Sequence, residues 1–302
     1  MKLIVQPDDG LSPVLAAIKS AKSSIDTTIF RFDRPEIEKA LAAAVARGVK
    51  VRALVAHTNR GGEKRLRKLE QTLLAAGVTT ARTGDDLVRY HGKMLIVDEK
   101  TLIVKLFNYT GLDLQSRSFA VITRQRAFVS EAMRVFEADV TRQDYSSGKP
   151  GLVVSPENAR KQLADFLGKA KKELCIYDPK VSDRAMVRVL EDRVKHGVDI
   201  RILGSVGSRS KVLKASKLKG LRLHARCIIR DGAHAFLGSQ SLRALELDSR
   251  REVGIIVRDA RIVKRLRDVF EKDWLETVPQ RDDRGEASEH RGKDEEKEAL
   301  SA

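Results

Sequence analysis

The strongest constraint on the fold is that the chain repeats itself. The segment AKSSIDTTIF from Ala21 corresponds to AKKELCIYDP from Ala170, and EKALAAAVARGVKVRALV from Glu38 corresponds to VRVLEDRVKHGVDIRILG from Val187, both at an offset of 149. Each copy reads as a helix, a short strand, a second helix closed by Arg-Gly or His-Gly, and an alternating strand. This is the pattern of βαβ units on a largely parallel sheet. The expected fold class is α/β, with two pseudo-twofold-related lobes, each a mostly parallel or mixed β-sheet flanked by helices. The first lobe is expected over 1–147 and the second over 151–278, with 279–302 a charged, disordered tail.

The repeat extends through a second pair of segments. HGKMLIVDEKTLIVKLFNYT from His91 matches HARCIIRDGAHAFLGSQSLR from His224 at an offset of 133, because the first copy carries 16 more residues ahead of the motif. Within that surplus, EKRLRKLEQTLLAAG predicts an extra helix from Glu63 closed by Gly77. In both copies a histidine opens a strand, a cation follows two residues later (Lys93, Arg226), and an aspartate (Asp98, Asp231) sits seven residues on, at the turn to the next strand. One His-x-Lys alone reads as the polar end of a surface strand. Its recurrence at equivalent places in a repeat points instead to a cleft where both motifs converge, with the strand from Met94 to Val97 as core and its ends, His91, Lys93 and Asp98, in the cleft.

Such a cleft would hold two imidazoles, which titrate near neutrality, so one can attack while the other supplies the leaving-group proton. Lys93 and Arg226 would grip the non-bridging oxygens of a phosphodiester and offset developing charge. The cations are built in, so no metal and no other cofactor is expected. The two-copy motif resembles that of the phospholipase D superfamily, two copies of His-x-Lys-x4-Asp each followed by Gly-Ser-x-Asn, from about Lys2 to Trp274. The resemblance implies a covalent phosphohistidine, with His91 as nucleophile and His224 as general acid and then base. It also implies that Lys93 and Arg226 bind phosphate and that Glu252, in LELDSRREVGIIV, orients a motif histidine. Its counterpart in LDLQSRSFAVIT is Ser118; the other reading of Glu252 is a surface residue paired with Arg250 or Arg251. Asp98 and Asp231 are expected to fix the hairpins and polarise the cations.

The chain also departs from the family pattern. Arg226 replaces the second lysine, and its guanidinium fork is larger and differently placed than an ammonium. GSQS keeps Gly238 and Ser239 but puts Ser241 where the family has Asn; KLFN keeps Asn108 but has Lys105 and Leu106 in place of Gly-Ser. Each half retains what the other lost. These changes leave open a degenerate module that binds phosphate without turnover.

Charge bears on the substrate. The formal net charge is +16, and the stretch after Pro279 carries five basic and eight acidic residues, so the rest stands near +19. Polyanionic partners follow: an anionic phospholipid surface, bound peripherally, or nucleic acid. Two basic stretches, NRGGEKRLRK from Asn59 and RSKVLKASKLKGLR from Arg209, are expected to flank the cleft mouth. Neither contains an aromatic residue, which disfavours base stacking on single strands. No stretch approaches the ~20 apolar residues of a membrane span and MKLIVQPDDG has too short an apolar run for a signal peptide, so a cytoplasmic protein is expected. Cys175 and Cys227, each in a β-like apolar run, read as small buried thiols. A phospholipid phosphodiesterase or phosphatidyltransferase is the leading expectation, with a DNA or RNA phosphodiesterase as the alternative.

Overall fold

The two halves of the sequence build two sheets of the same strand order, and each sheet borrows a short strand from the other half. The structure, a computed structural model, describes residues 1–58, 63–146, 148, 150–207 and 210–279. The charged tail and parts of both basic stretches, residues 59–62 and 209, lie outside the described residues.

In the first half, β1 (Lys2–Gln6), α1 (Ser12–Ser20), β2 (Ser24–Ile29), α2 (Pro35–Ala46), β3 (Lys50–Val55), α3 (Glu63–Ala75) and β4 (Thr79–Arg82) come first. Then follow β5 (Arg89–Tyr90), β6 (Met94–Val97), β7 (Thr101–Lys105), α4 (Gly111–Leu114), β8 (Ser116–Thr123) and α5 (Arg126–Thr141). The second half opens with β9 (Leu152–Ser155), α6 (Ala159–Gly168), β10 (Glu173–Val181), α7 (Arg184–Lys195), β11 (Asp199–Val206) and β12 (Ala215–Lys217). It closes with β13 (Arg222–Leu223), β14 (Cys227–Arg230), β15 (His234–Gly238), α8 (Ala244–Asp248), β16 (Arg250–Val257), α9 (Ala260–Leu275) and β17 (Val278–Pro279). The sequence-predicted helix from Glu63 is α3, and Gly77, at φ +78°, follows its end.

The first sheet runs β1-β8-β7-β6-β2-β3-β4, and the second repeats it as β9-β16-β15-β14-β10-β11-β12, with β17 beyond. Both are mixed: β2 pairs parallel with β3 and antiparallel with β6, as β10 does with β11 and β14. The parallel pairs are the βαβ units of the repeat; the antiparallel ones are the motif hairpins.

The exchange follows from where the motifs sit. β5, just before His91, pairs parallel with β16 of the second sheet through Arg250↔Arg89 and Arg251↔Tyr90. β13, just before His224, pairs parallel with β8 of the first through Arg222↔Ser116 and Leu223↔Arg117. Two-residue strands have little stability of their own; they persist here because the receiving strands are buried along nearly their whole length.

Packing joins the lobes as well. One apolar cluster draws Leu3, Phe119 and Phe136 from the first half together with Tyr177, Ile255 and Phe270 from the second. The outer faces have separate cores, one around Ile18, Leu41 and Leu95, the other around Leu163, Leu190 and Ile228. Two buried ion pairs related by the repeat cross the boundary: Arg117 to Asp273 at 2.7 Å and Arg251 to Asp139 at 2.9 Å. Tyr177 donates its hydroxyl to Asp273 at 2.7 Å. A pair buried this deeply fixes relative placement, because shifting either lobe strands a charge. Cys175 and Cys227 are free and buried. Among the described residues no helix is long and apolar enough to cross a membrane.

Candidate active site

Both motif histidines stand where the exchanged strands end. His91 N–H donates to the Arg251 carbonyl at 2.8 Å and His224 N–H to the Arg117 carbonyl at 3.0 Å, so each imidazole is hung from the other lobe's strand. The arginines that accept these bonds are those of the two cross-lobe ion pairs. Gly92 is required for its smallness: a Cβ there would come within 2.8 Å of Val253. Thr28 completes the mount, donating to the Gly92 carbonyl at 2.9 Å and accepting from Met94 N–H at 2.7 Å.

On the first side, His91 Nδ1 lies 2.8 Å from Glu252 Oε2 and its Nε2 2.9 Å from Lys93 Nζ. Lys93 Nζ also donates to the His91 carbonyl at 2.8 Å. Phe30 meets the imidazole edge-on at 4.7 Å. Glu252 is fully buried, which removes the surface-pair reading of that residue. This network assigns the tautomer: Nδ1 carries the proton toward the carboxylate and Nε2 presents its lone pair toward the ammonium. Burial, then the charges of Lys93, Arg226, Arg250 and Arg89, hold the His91 imidazole well below its usual pKa, and it is neutral at pH 7. Burial pushes Lys93 down to about 7, with Glu252 opposing and Arg226 adding to the shift. Burial raises Glu252 above the usual carboxylate range.

The second side is built differently. His224 Nδ1 lies 3.1 Å from Asp113 Oδ1, without the alignment of a hydrogen bond, and Arg222 takes the same oxygen at 3.1 Å. Asp113 is buried on α4, where Asn108 N–H donates to its other oxygen at 2.7 Å. Burial holds the His224 imidazole well below its usual pKa, with Asp113 opposing and Arg226 and Lys93 adding to the shift, so this imidazole too is neutral at pH 7. Lys93 and Arg226 thus act on both imidazoles, and the two motifs share one electrostatic field. Arg226 Nε donates to Ser241 Oγ at 3.2 Å and its Nη1 to the His224 carbonyl at 3.2 Å, leaving the half-buried fork facing the cleft.

The remaining sequence-predicted residues divide. Ser239 Oγ accepts from Val253 N–H at 3.1 Å and donates to the Val253 carbonyl at 3.3 Å, next to Glu252, whose charged form it favours. Ser118, at the register of Glu252, has a buried hydroxyl with no hydrogen-bond partner; Asp113 instead serves His224. Lys105, in the place of Gly238, is buried with its ammonium 3.6 Å from the centre of the Tyr109 ring. Of the basic stretches, Arg67 pairs with Glu70 on α3 at 3.0 Å, so part of that charge supports the helix.

Asp98 and Asp231 require a correction: they do not end in the cleft beside the cations. Each follows its strand at the end opposite the histidine, with φ near +50°, and roughly 20 Å of extended chain separates the two ends. Asp98 accepts from the backbone N–H groups of Lys22, Ser23 and Ser24, and Asp231 from those of Lys171, Lys172 and Glu173. Burial pushes the Asp98 carboxyl up, but those bonds prevail and hold it at about 2. Asp98→Ala and Asp231→Ala are each expected to cost roughly 1–3 kcal/mol of stability, from the loss of several charge-assisted hydrogen bonds to backbone N–H groups, while leaving turnover within about twofold. Urea unfolding beside a phosphodiesterase assay checks this; a large loss of kcat with stability intact would restore the electrostatic role.

Sequence reasoning missed Asp113 and the cations Arg89 and Arg250. The signal for Asp113 was present, since Leu-Asp-Leu at 112–114 matches Leu-Glu-Leu at 245–247 at the motif's own offset. Arg89 and Arg250 could not be found that way, because the pairing that brings them to His91 is between lobes.

The family comparison agrees with this two-lobed arrangement. The model of the cardiolipin synthase, PLD-like domain matches twice, over residues 14–140 and 163–274. The chain belongs to this phospholipase D-like family. Curated relatives include the mitochondrial cardiolipin hydrolases of Mus musculus and Homo sapiens, each 29% identical over 135 residues, or 43% of this chain. Those matches span 59% of the mouse protein and 52% of the human one. Among solved structures, the fold resembles polyphosphate kinase from Porphyromonas gingivalis, with TM-score 0.74, 17% identity and 99% of this chain and 53% of that chain covered. It also resembles phosphatidylserine synthase from Haemophilus influenzae Rd KW20, with TM-score 0.69, 11% identity and 92% of this chain and 87% of that chain covered. At these identities the likeness is one of fold.

Proposed function

We propose that this phospholipase D-like chain is a phosphodiesterase or phosphatidyltransferase that acts on anionic phospholipid through a phosphohistidine. The observation that carries the reading is the unequal preparation of the two imidazoles under shared cations. His91 is hydrogen-bonded to Glu252, with its Nε2 lone pair against Lys93; His224 has the Asp113 carboxylate beside it, which opposes the burial that depresses its pKa.

In the proposed reaction the bound phosphate anion favours the charged form of His224; His91 Nε2 attacks phosphorus, the bond to the leaving alkoxide breaks, and the His224 proton passes to that oxygen. Lys93 and Arg226 neutralise the phosphoryl oxygens as the charge builds. His224, now neutral, takes a proton from water or an alcohol, whose oxygen displaces His91 from phosphorus. Water gives hydrolysis and alcohol gives transfer. The lipid class is supported by the matched family model and by the cardiolipin hydrolase relatives; a basic surface would provide peripheral attachment.

Product release from vesicles of labelled cardiolipin and phosphatidylglycerol, run beside plasmid DNA, tests the reading. Lipid turnover that disappears in His91→Ala supports it. Cleavage of DNA alone makes the protein a nuclease, and binding without turnover on both makes it a phosphate-holding module.

The pH dependence is equally specific. Phosphate is gripped by charged Lys93, whose ammonium loses its proton above about 7, so kcat/KM falls about tenfold per pH unit beyond that point. A bound phosphate favours the charged form, so the same limb in kcat lies at higher pH. Lys93→Arg is expected to remove this limb from kcat/KM, and a pH–rate series on the two forms reads it directly. The linkage to folding runs the other way. Between about 7 and 10.5 the unfolded chain holds a proton at Lys93 that the folded one has released, so this group makes stability rise with pH there.

A further inference from the structure

At the far end of β14, β15 and β16, six residues of extended chain and roughly 20 Å from His224, lies a cavity of about 590 Å³. That volume is in the range of small-molecule sites. One wall is a single face of α6 and its C-terminus, carrying Gln162, Asp165, Phe166 and Lys169; the others come from the β14–β15 hairpin, the end of β16 and the start of α5.

The polar lining is mainly cationic and in part unpartnered. Arg230 is only 8% exposed; its guanidinium lies 4.6 Å from the centre of the Phe166 ring, and one Nη donates to the Phe166 carbonyl at 2.9 Å. Its Nε is buried without a partner, and among the described residues Arg230 makes no ion pair. The neighbouring Asp231 gives its carboxylate to the backbone of Lys171 to Glu173. His234, the cross-strand neighbour of Arg230, also buries an unpartnered Nδ1. Lys169 and Arg258 add two exposed cations at the rim. Two carboxylates face them. Asp259 is engaged by Arg261 and Ile262 N–H and by the Met1 amino group, while Asp165 is exposed. The apolar part of the lining includes Phe128, Phe166 and Ile256.

Buried polar groups without partners are costly to leave so, and here the two residues that carry them line a cavity with cations at its rim and apolar side chains in its lining. We propose that this cavity is a second binding site, separate from the catalytic cleft, for a small phosphate monoester with an aromatic body. Arg230, His234 and Arg258 would take the phosphate, and Phe128 and Ile256 the ring. No bond is made or broken there.

Adenosine 5′-monophosphate is a suitable probe, titrated against the full chain with ¹⁵N-labelled histidines and with inorganic phosphate in parallel. A His91→Ala, His224→Ala background removes the catalytic imidazoles as observed sites, and His234→Gln assigns the resonance. The expected result is a saturable shift of the His234 signal, at least tenfold tighter for the nucleotide than for phosphate. Affinity should fall at least tenfold in Arg230→Met and at least threefold in Arg258→Ala, an exposed change that spares the fold. A His234 signal that stays still, responds equally to both ligands, or is unaffected by Arg258→Ala would overturn the proposal.

Discussion

With bis(p-nitrophenyl) phosphate as substrate, His91→Ala is expected to release no p-nitrophenolate above background, while His224→Ala is expected to release one equivalent in a burst and then stall. The steady-state rate is expected to fall by at least about 10⁴-fold in both variants, as it does when one member of a mutually dependent catalytic group is lost. The burst separates the two roles. p-Nitrophenolate leaves without a proton, so the first step needs the nucleophile but not the acid, and phosphorus is transferred to His91 even without His224. The second step needs water activated by a base, which is His224 in the proposed mechanism; without it the covalent species should accumulate. The assignment rests on the structure's asymmetry. His91 is aligned on Glu252 with its Nε2 lone pair facing Lys93, whereas His224 has the charge of Asp113 beside it and Arg222 competing for the same oxygen. Reversed bursts would exchange the roles and leave the two-lobed site intact.

The second large effect is expected at Glu252. Glu252→Gln keeps size and burial but removes the charge that holds the His91 proton on Nδ1, and an amide can stabilise the wrong tautomer. By analogy with other acid–histidine pairs, kcat is expected to fall about 10²- to 10⁴-fold with KM changed little. The variant should be no less stable than the parent, because burial already disfavours the charged carboxylate. Rapid-quench measurement of the first step tests this; a change confined to KM, or to thermal stability, would reduce Glu252 to a structural residue. Asp113→Asn should be milder, since His224 is not aligned on Asp113 by a hydrogen bond.

Much of this arrangement was legible in the sequence because a repeat gives every local signal twice. The two motif hairpins, the βαβ units and the extra helix α3 each rest on neighbouring residues and on hydrophobic period, which are local properties. His91, His224, Lys93 and Arg226 could be singled out from recurrence, and Glu252 from resemblance. The exchange of β5 and β13 was not legible, because a two-residue strand such as Arg89–Tyr90 has no periodicity and its partner lies about 160 residues away. The same limit hid Arg89 and Arg250, which reach His91 only through that pairing. Asp98 was misplaced for a simpler reason: a strand has two ends, and seven residues put histidine and aspartate at opposite ones.

The central claim is that one phosphoryl group is held between two lobes and becomes bonded to His91. The most direct measurement is to quench the His224→Ala variant after mixing with ³²P-labelled bis(p-nitrophenyl) phosphate, digest it, and map the label. The account predicts one acid-labile, base-stable phosphate per chain, on the peptide that contains His91. Label on another residue, or undiminished turnover with no label at all, would contradict it.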